Sequence, residues 1–157
     1  MPSTLRRLSV IMAVRNAMPF LEDALTSALN MMSQHDELIV QDALSDDGTS
    51  AFLNAIATTD GRISVVREKD SGQSDGLSRA LGRATGDFIL WMNGDDLLEE
   101  SGSRALRAVL DDPKTNTDQM HIFGHKVVDV HARDIGVYPG QELRLRNLLL
   151  QGCYIFS

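Results

Sequence analysis

Two groups of acidic residues stand where the chain leaves an apolar run. Asp42, Asp46 and Asp47 follow the run that begins at residue 37, and Asp95 and Asp96 come shortly after the run FILWM. Adjacent carboxylates at the end of a buried strand repel each other unless a positive group lies beside them. A divalent cation with oxygen ligands is their natural partner. An isolated Asp-Asp pair is also common in ordinary turns, where one acid caps the next segment and the other is solvated.

Other sequence signatures of chemistry are missing or fit poorly. No GxGxxG follows the first apolar run and no GxxxxGK[ST] occurs, which argues against a dinucleotide site and a P-loop. An EF-hand that starts at Asp42 would need glycine where Asp47 stands. His121 and His125 are four residues apart, but we expect ordinary surface or turn histidines there. Cys153 is the single cysteine, so an internal disulfide and a cysteine-based zinc cluster are excluded, and we expect it to be buried.

The spacing of apolar residues predicts the elements that position the acids. A continuous apolar run predicts a strand buried on both faces at 8–14, and shorter runs predict strands at 37–42, 63–67 and 88–92. Helical spacing predicts helices at 21–32, 50–58, 77–84 and 102–110, with Thr49 or Asp47 as the cap of the second. Farther along the chain we expect short strands at 120–123, 126–130 and 135–138 and a helix at 144–150.

The alternation of strands and helices predicts an α/β fold. Four strand–helix repeats specify a right-handed, mostly parallel sheet with helices on both faces, followed here by a short antiparallel hairpin region. Ligands in such sheets bind at the carboxyl ends of the strands, where both acidic groups would lie. The 157 residues, 43% of them hydrophobic and 24% charged, suit one domain over 1–157.

The charge and hydropathy of the chain restrict its partners. Asp and Glu number 22 against 15 Lys and Arg, and the net charge of −7 argues against nucleic acid and anionic lipid as partners. No run of 18 apolar residues occurs, so we expect no transmembrane segment. We expect a cytoplasmic protein.

Five segments resemble, in order, the amino-terminal part of glycosyltransferases of family 2, which have the GT-A fold. LSVIMAVRNA resembles the opening strand and its Asn turn, and ELIVQDALSDDGT the nucleotide-binding stretch. EKDSGQSDGLSRALGRATGD resembles the donor loop and helix. FILWMNGDD resembles the strand with the Asp-x-Asp-type metal motif, and LLEESGSRAL the helix after it. Five segments in family order, over 8–110, favour a functional site at Asp95 and Asp96 over an ordinary turn.

The resemblance implies roles for individual residues. Asp42 should hydrogen-bond the nucleotide base, Asp95 should contact the ribose or share the metal, and Asp96 should ligate Mg²⁺ or Mn²⁺. Asp75 would touch the sugar, with a helix N-cap as its alternative role, and Arg79 would approach the diphosphate or remain solvated. The nucleotide-sugar-binding set implied by the resemblance is Val14, Asn16, Asp42, Asp70, Asp75, Arg79, Asn93 and Asp95.

The chain departs from the usual family pattern at several positions. Ala43 and Leu44 stand where glycines are usual, and Ser78 where the donor helix usually has Asn. Asn93 replaces the first acid of Asp-x-Asp, a variant that resembles one branch of the family. Family members continue into an acceptor-binding half that usually supplies the general base, and this chain stops at Ser157.

These observations predict a nucleotide-sugar-dependent glycosyltransferase. The donor would be a UDP-sugar, the acceptor a saccharide or a lipid-linked molecule, and the reaction inverting. Through its acceptor the protein would also act at the inner face of the membrane, and a homodimer is left open. No residue is identified as general base, so we expect a fragment or a natural short form without measurable transfer on its own. The alternative is a non-catalytic nucleotide-sugar-binding module. A receiver-like phospho-acceptor would need its acidic pair after the first strand, where Val14, Arg15 and Asn16 stand.

Overall fold

Four apolar runs form parallel strands at the centre of the fold. In the computed structural model, which describes residues 6–115, 120–129, 133–138 and 154–156, these strands lie in the order β3-β2-β1-β4 and pair in parallel. Their bounds are β1 Leu8–Val14, β2 Glu37–Asp42, β3 Ile63–Arg67 and β4 Phe88–Trp91. The predicted mostly parallel sheet is confirmed.

Three helices connect these strands, a fourth follows β4, and together they cover both faces of the sheet. They are α1 Leu21–Met31, α2 Thr49–Thr59, α3 Gln73–Leu81 and α4 Glu100–Asp111. The larger core cluster joins α1, α2 and α4 to one face of the sheet, and a smaller one joins α3 to the other through Ile11, Ile39 and Ala80. Helix α3 begins at Gln73, four residues before the predicted start. The prediction missed this first turn because its residues are polar and show no apolar spacing.

Short strands extend and flank the main sheet. β8 Tyr154–Phe156 pairs antiparallel with β4 on one side and with β5 His121–Ile122 on the other. β6 His125–Val128 and β7 Asp134–Tyr138 form a separate antiparallel pair, which confirms the predicted hairpin region. The strand β8 was not predicted, and the predicted helix at 144–150 and Cys153 lie outside the described residues. None of the described helices is long and apolar enough to cross a bilayer.

Helix α3 lies close to the sheet at Gly76. A Cβ atom at this position would stand 3.0 Å from the Cβ of Ala13 on β1 and 2.8 Å from Oδ2 of Asp70. A Cβ atom would therefore displace the Asp70 carboxylate and crowd Ala13, so glycine allows α3 to approach β1 this closely. The close contact fixes the position of the loop before α3, at the edge of the sheet where the candidate site lies.

Candidate nucleotide-sugar site

The strand register brings four loops to the carboxyl-terminal edge of the sheet. Val14 pairs with Asp42, and Asp42 pairs with Arg67, so β1, β2 and β3 end at the same level. β4 ends earlier, with Trp91 opposite Ile11, and Gly94 in the loop after it lies against Val14 at the end of β1. The predicted site residues therefore lie along one edge, as expected for ligand sites of parallel sheets.

The loop after β2 holds the loop after β1 through side-chain acceptors. Two of its side chains, and that of Thr49 at the start of α2, each accept one backbone N–H of the loop after β1. The bonds run from Asn16 to Ser45 Oγ (2.9 Å), from Ala17 to Thr49 Oγ1 (2.9 Å) and from Met18 to Asp47 Oδ2 (3.0 Å). In return, Asn16 Oδ1 accepts the N–H of Asp46 at 3.0 Å. Asn16 is thereby fixed with a positive φ of 54°.

The predicted side-chain cap of α2 is wrong. Gly48, with φ of 104°, occupies the N-cap position, and no side-chain cap hydrogen bond is formed. Asp47 accepts the N–H of Thr49 at 3.0 Å, but its other oxygen and the Thr49 hydroxyl serve the loop after β1. These polar side chains therefore connect two loops of the site.

Asp42 is completely buried, and both of its carboxylate oxygens have partners. Oδ1 accepts the N–H (3.0 Å) and the hydroxyl (2.6 Å) of Ser45, and Oδ2 accepts the hydroxyl of Ser50. The guanidinium of Arg67, whose side chain is 52% exposed, lies 3.7 Å from Oδ2 through its Nε. In this arrangement Asp42 shapes its own loop, and a base bound to it would have to replace one of these partners.

The loop before α3 is held by Asp75. Its Oδ2 accepts the N–H (2.9 Å) and the hydroxyl (3.0 Å) of Ser71, and Arg79 donates to both of its carboxylate oxygens at 3.0 Å. The hydrogen bond from Arg79 is the main cause that lowers the pKa of Asp75 to about 2. The N-cap role for Asp75 is wrong, because Gly72 holds that position. Asp70 Oδ1 accepts the N–H of Gly72 at 3.0 Å, which closes the turn.

A chain of charged side chains continues from Arg79 to the sheet. Arg79 and Arg83 both approach Oε1 of Glu68, at 3.2 and 2.9 Å, and together they lower the pKa of Glu68. Arg83 also donates to Oε1 of the buried Gln41 at 2.9 Å. The guanidinium of Arg79 is thus bound by two carboxylates of its own chain.

The predicted metal ligands lie on the exposed loop after β4. Asp95 and Asp96 are adjacent and exposed, and Asn93 donates to Asp96 Oδ2 through Nδ2 (2.9 Å) and through its N–H (3.2 Å). Partial desolvation raises the pKa of Asp96, the negative charge of Asp95 adds to the rise, and Asn93 and His125 oppose it. Two neighbouring carboxylates supply the oxygen ligands that Mg²⁺ or Mn²⁺ prefers. Among the described residues, no three His, Cys, Asp or Glu side chains lie close enough together to hold a metal ion. Phosphate or water would therefore complete the coordination.

Several residues that shape the site were not among those predicted from the sequence. Asp42 accepts hydrogen bonds from Ser45 and Ser50 and lies beside the guanidinium of Arg67. Asn93 accepts hydrogen bonds from Gln73 and Trp91. The alternating polar residues of DALSDDGT are a usable signal for the loop contacts, because each short side chain can accept a backbone N–H.

The comparisons with known proteins agree with this architecture. Residues 9–155 match the model of the family described as "Glycosyl transferase family 2". A Bacillus subtilis protein named as a teichuronic acid biosynthesis glycosyltransferase, TuaG, is 37% identical over 89 residues, which are 56% of this chain and 35% of that protein.

Two solved structures have a similar fold. The mannosyltransferase PcManGT from Pyrobaculum calidifontis, in complex with GDP-Man and Mn²⁺, matches with a TM-score of 0.64 and 25% identity, over 76% of this chain and 35% of that one. S. aureus TarS in complex with UDP-GlcNAc matches with a TM-score of 0.64 and 17% identity, over 96% of this chain and 45% of that one, and supports the fold alone. The chain spans between about a third and a half of these proteins. By its family match and its GT-A architecture, the chain belongs to glycosyltransferase family 2.

Proposed function

We propose that this chain is the nucleotide-sugar-binding part of a glycosyltransferase that uses a UDP-sugar and a divalent cation. The observation that carries the proposal is the strand register, which places Asp42, the loop before α3 and the Asp95–Asp96 pair along one edge of the sheet. The solved relative in complex with GDP-Man and Mn²⁺ supports a nucleotide-sugar donor and a divalent cation. The acceptor is a saccharide or a lipid-linked molecule.

We assign the nucleoside to the loops after β1 and β2. Val14, Asn16 and Asp42 lie there, at the ends of two adjacent strands. Asp42 binds the base by exchanging one of its present partners, and Arg67 is the most accessible of them because its side chain is 52% exposed. Asp70 and Asp75 belong to the sugar side of the site, in the loop before α3 and its first turn.

We assign the diphosphate to the loop after β4. Asp95 and Asp96 hold Mg²⁺ or Mn²⁺, and Asn93 orients Asp96 through two hydrogen bonds. When bound, the cation neutralises the charge that develops on the leaving nucleoside diphosphate. Arg79 supports this region by fixing Asp75 and Glu68. Inversion at the sugar requires a general base, for which we assign no residue of this chain.

Calorimetric titration of UDP, with and without Mn²⁺, tests the proposal. We expect UDP to bind at least about tenfold more tightly with Mn²⁺, a difference of about 1.4 kcal/mol. Equal affinity in the two conditions would remove the metal role. GDP in a parallel titration decides the base, since tighter binding of GDP would contradict a UDP donor. Failure of both nucleotides to bind would overturn the nucleotide-sugar site as a whole.

A further inference from the structure

Asn93 joins three side chains that come from different parts of the site. Its Oδ1 accepts from Nε2 of Gln73 at 2.9 Å and from the indole N–H of Trp91 at 3.1 Å. Its Nδ2 donates to Oδ2 of Asp96 at 2.9 Å, and its backbone N–H donates to the same oxygen at 3.2 Å. One amide therefore connects the start of α3, the end of β4 and a proposed metal ligand.

The chemistry of these neighbours fixes the orientation of the amide. An indole nitrogen can only donate, and a carboxylate can only accept. The amide oxygen must therefore face Trp91 and the amide nitrogen must face Asp96. An aspartate at position 93 would keep the acceptor toward Trp91 but would place a second negative oxygen against Asp96. Asparagine provides an acceptor and a donor at the same time, which accounts for its presence in place of the usual first acid.

Gln73 transmits the position of the neighbouring loop to this amide. It is the first residue of α3 and follows Gly72, whose φ of 123° marks the sharp end of the loop before the helix. That loop is in turn fixed by the bonds from Ser71 to Asp75. A shift of the loop would move Gln73 away from Oδ1 of Asn93 and would release the amide that orients Asp96.

We propose that Asn93 is a positioning residue that couples the loop before α3 to the orientation of Asp96. The inference rests on the proposed metal site, and it adds that cation affinity depends on Gln73, a residue at the start of another element. Coupling of this kind is reciprocal. A cation bound at Asp95 and Asp96 therefore also holds the loop before α3 in place.

A double-mutant cycle measures this coupling. Mn²⁺ is titrated into the chain in the presence of UDP, and its affinity is measured by calorimetry for the unaltered chain, Gln73→Ala, Asn93→Ala and the double variant. Loss of a group that orients a metal ligand typically costs about 10–100-fold in metal affinity, and we expect this loss for Asn93→Ala. For Gln73→Ala we expect a smaller loss of Mn²⁺ affinity, about 3–10-fold, which is part of the loss caused by Asn93→Ala. The double variant should be no weaker than Asn93→Ala alone, because Gln73 acts through Asn93.

Trp91 provides a second readout that needs no metal. It is the only tryptophan of the chain, and its indole N–H donates to Asn93. Gln73→Ala should therefore change the emission of Trp91 in the absence of any cation. When Trp91 emission is followed during a cation titration, Mg²⁺ replaces Mn²⁺, because a paramagnetic ion would itself quench the emission. The matched control variants are Gln34→Ala and Asn54→Ala, which are exposed and away from the site, and they should leave emission and affinity unchanged.

Each result has a defined meaning. Losses that multiply in the double variant, or an unchanged Mn²⁺ affinity in Gln73→Ala, would overturn the coupling while leaving the metal site in place. No response of the unaltered chain to either cation, with UDP binding retained, would overturn the metal site and the coupling with it. Gln73→Ala could also unfold at a lower urea concentration, to an extent that explains its whole loss of Mn²⁺ affinity. Gln73 would then have a structural role only, and this result would also overturn the proposal.

Discussion

The two edges of the parallel sheet both carry acids, but they hold them differently. At the amino-terminal edge, Asp36 is buried and accepts the N–H of Leu8 (2.9 Å), the N–H of Ser33 (2.6 Å) and the guanidinium of Arg107. At the carboxyl-terminal edge, Asp96 is exposed and takes its hydrogen bonds from Asn93, an uncharged residue. An acid that is neutralised inside the fold has a structural role, whereas an acid left exposed beside a neutral amide can still accept a cation.

Backbone strain separates the same two edges. Among the described residues, the non-glycine positions with positive φ are Asn16 at 54° and Leu44 at 58°. Both lie in loops of the carboxyl-terminal edge. Strain of this kind persists where surrounding contacts enforce it, and it often accompanies binding sites. Asp42 combines features of both edges, because it lies in this strained region and yet is buried and fully bonded.

The largest effect is expected from breaking the buried pair at the amino-terminal edge. Arg107→Ala would leave Asp36 as a buried carboxylate without its cation and would also remove the bond from Arg107 Nε to the carbonyl of Met31 (3.1 Å). Removal of one partner of a buried pair typically costs about 3–5 kcal/mol. We expect a loss of about 3 kcal/mol in the free energy of unfolding, measured by urea denaturation.

Arg104→Ala is the matched control on the same helix. Arg104 pairs with Glu100 at the surface, with side chains 68% and 84% exposed, and such pairs contribute about 0–1 kcal/mol. Equal losses for the two variants would contradict the structural role of the buried pair and, with it, the contrast between the edges.

Asp42→Ala tests whether a buried acid at the carboxyl-terminal edge behaves like Asp36. The variant would leave the N–H and the hydroxyl of Ser45 without their acceptor, whereas the hydroxyl of Ser50 keeps the carbonyl of Ser45 at 3.1 Å. Unsatisfied buried groups cost about 1–3 kcal/mol, so we expect a loss near 2 kcal/mol in urea denaturation. Asp46→Ala, a change at the exposed neighbour four residues along, should stay within about 0.5 kcal/mol.

The same variant also tests the proposed contact with the base. Asp42→Ala should weaken binding of UDP more than binding of pyrophosphate with Mn²⁺. An equal loss for both ligands would mean that Asp42 is structural only, and that the base is bound elsewhere along this edge.

The sequence predicts the parallel strands well and the bonding within the site poorly. Strands β1, β2 and β3 have the predicted bounds because each contains a short apolar stretch with charged residues at or next to its ends. The strand β8 escapes prediction because three residues show no periodicity, and its pairing with β4 spans more than sixty residues of chain. Contacts such as Gln73 with Asn93 depend on strand register and on the approach of α3, which no local pattern records.

Asp96→Asn separates binding from stability at the exposed pair. Removal of the charge should lower the Mn²⁺-dependent part of UDP affinity by more than about tenfold, or about 1.4 kcal/mol, in calorimetry. The free energy of unfolding should change by less than about 0.5 kcal/mol, because an exposed carboxylate supports little packing. Asp111→Asn, at an exposed acid at the end of α4, is the control for both measurements. A loss of stability without a loss of Mn²⁺-dependent UDP affinity would mean that Asp96 has a structural role like that of Asp36, and the two edges would then not differ.

A smaller gain is expected from relieving backbone strain at Leu44. A left-handed backbone costs an ordinary residue about 1–2 kcal/mol, and glycine avoids this cost but loses more entropy on folding. Leu44 is 47% exposed, so its side chain contributes little packing. We expect Leu44→Gly to raise the free energy of unfolding by about 0.5 kcal/mol, measured by urea denaturation. Leu44→Ala keeps the Cβ atom and should show no gain; an equal gain in both variants would assign the effect to the lost side chain.

The smallest effect is expected from the pH dependence of stability, through two acids with a pKa of about 2, Asp60 and Asp75, one at each edge. Arg62 lowers the pKa of Asp60 to about 2 at the amino-terminal edge, and Arg79 lowers the pKa of Asp75 to about 2 at the carboxyl-terminal edge, in both cases mainly through side-chain hydrogen bonds. Because folding lowers these values from 3.8, the ionised carboxylates stabilise the folded chain above about pH 3.8. That contribution is lost as the pH falls from 3.8 toward 2. Carboxyl titration by NMR should show that Arg79→Gln moves the midpoint of Asp75 back toward 3.8 and leaves Asp60 at about 2. A shift of both midpoints would mean that the two edges titrate together, and an unchanged Asp75 would show that Arg79 does not hold it.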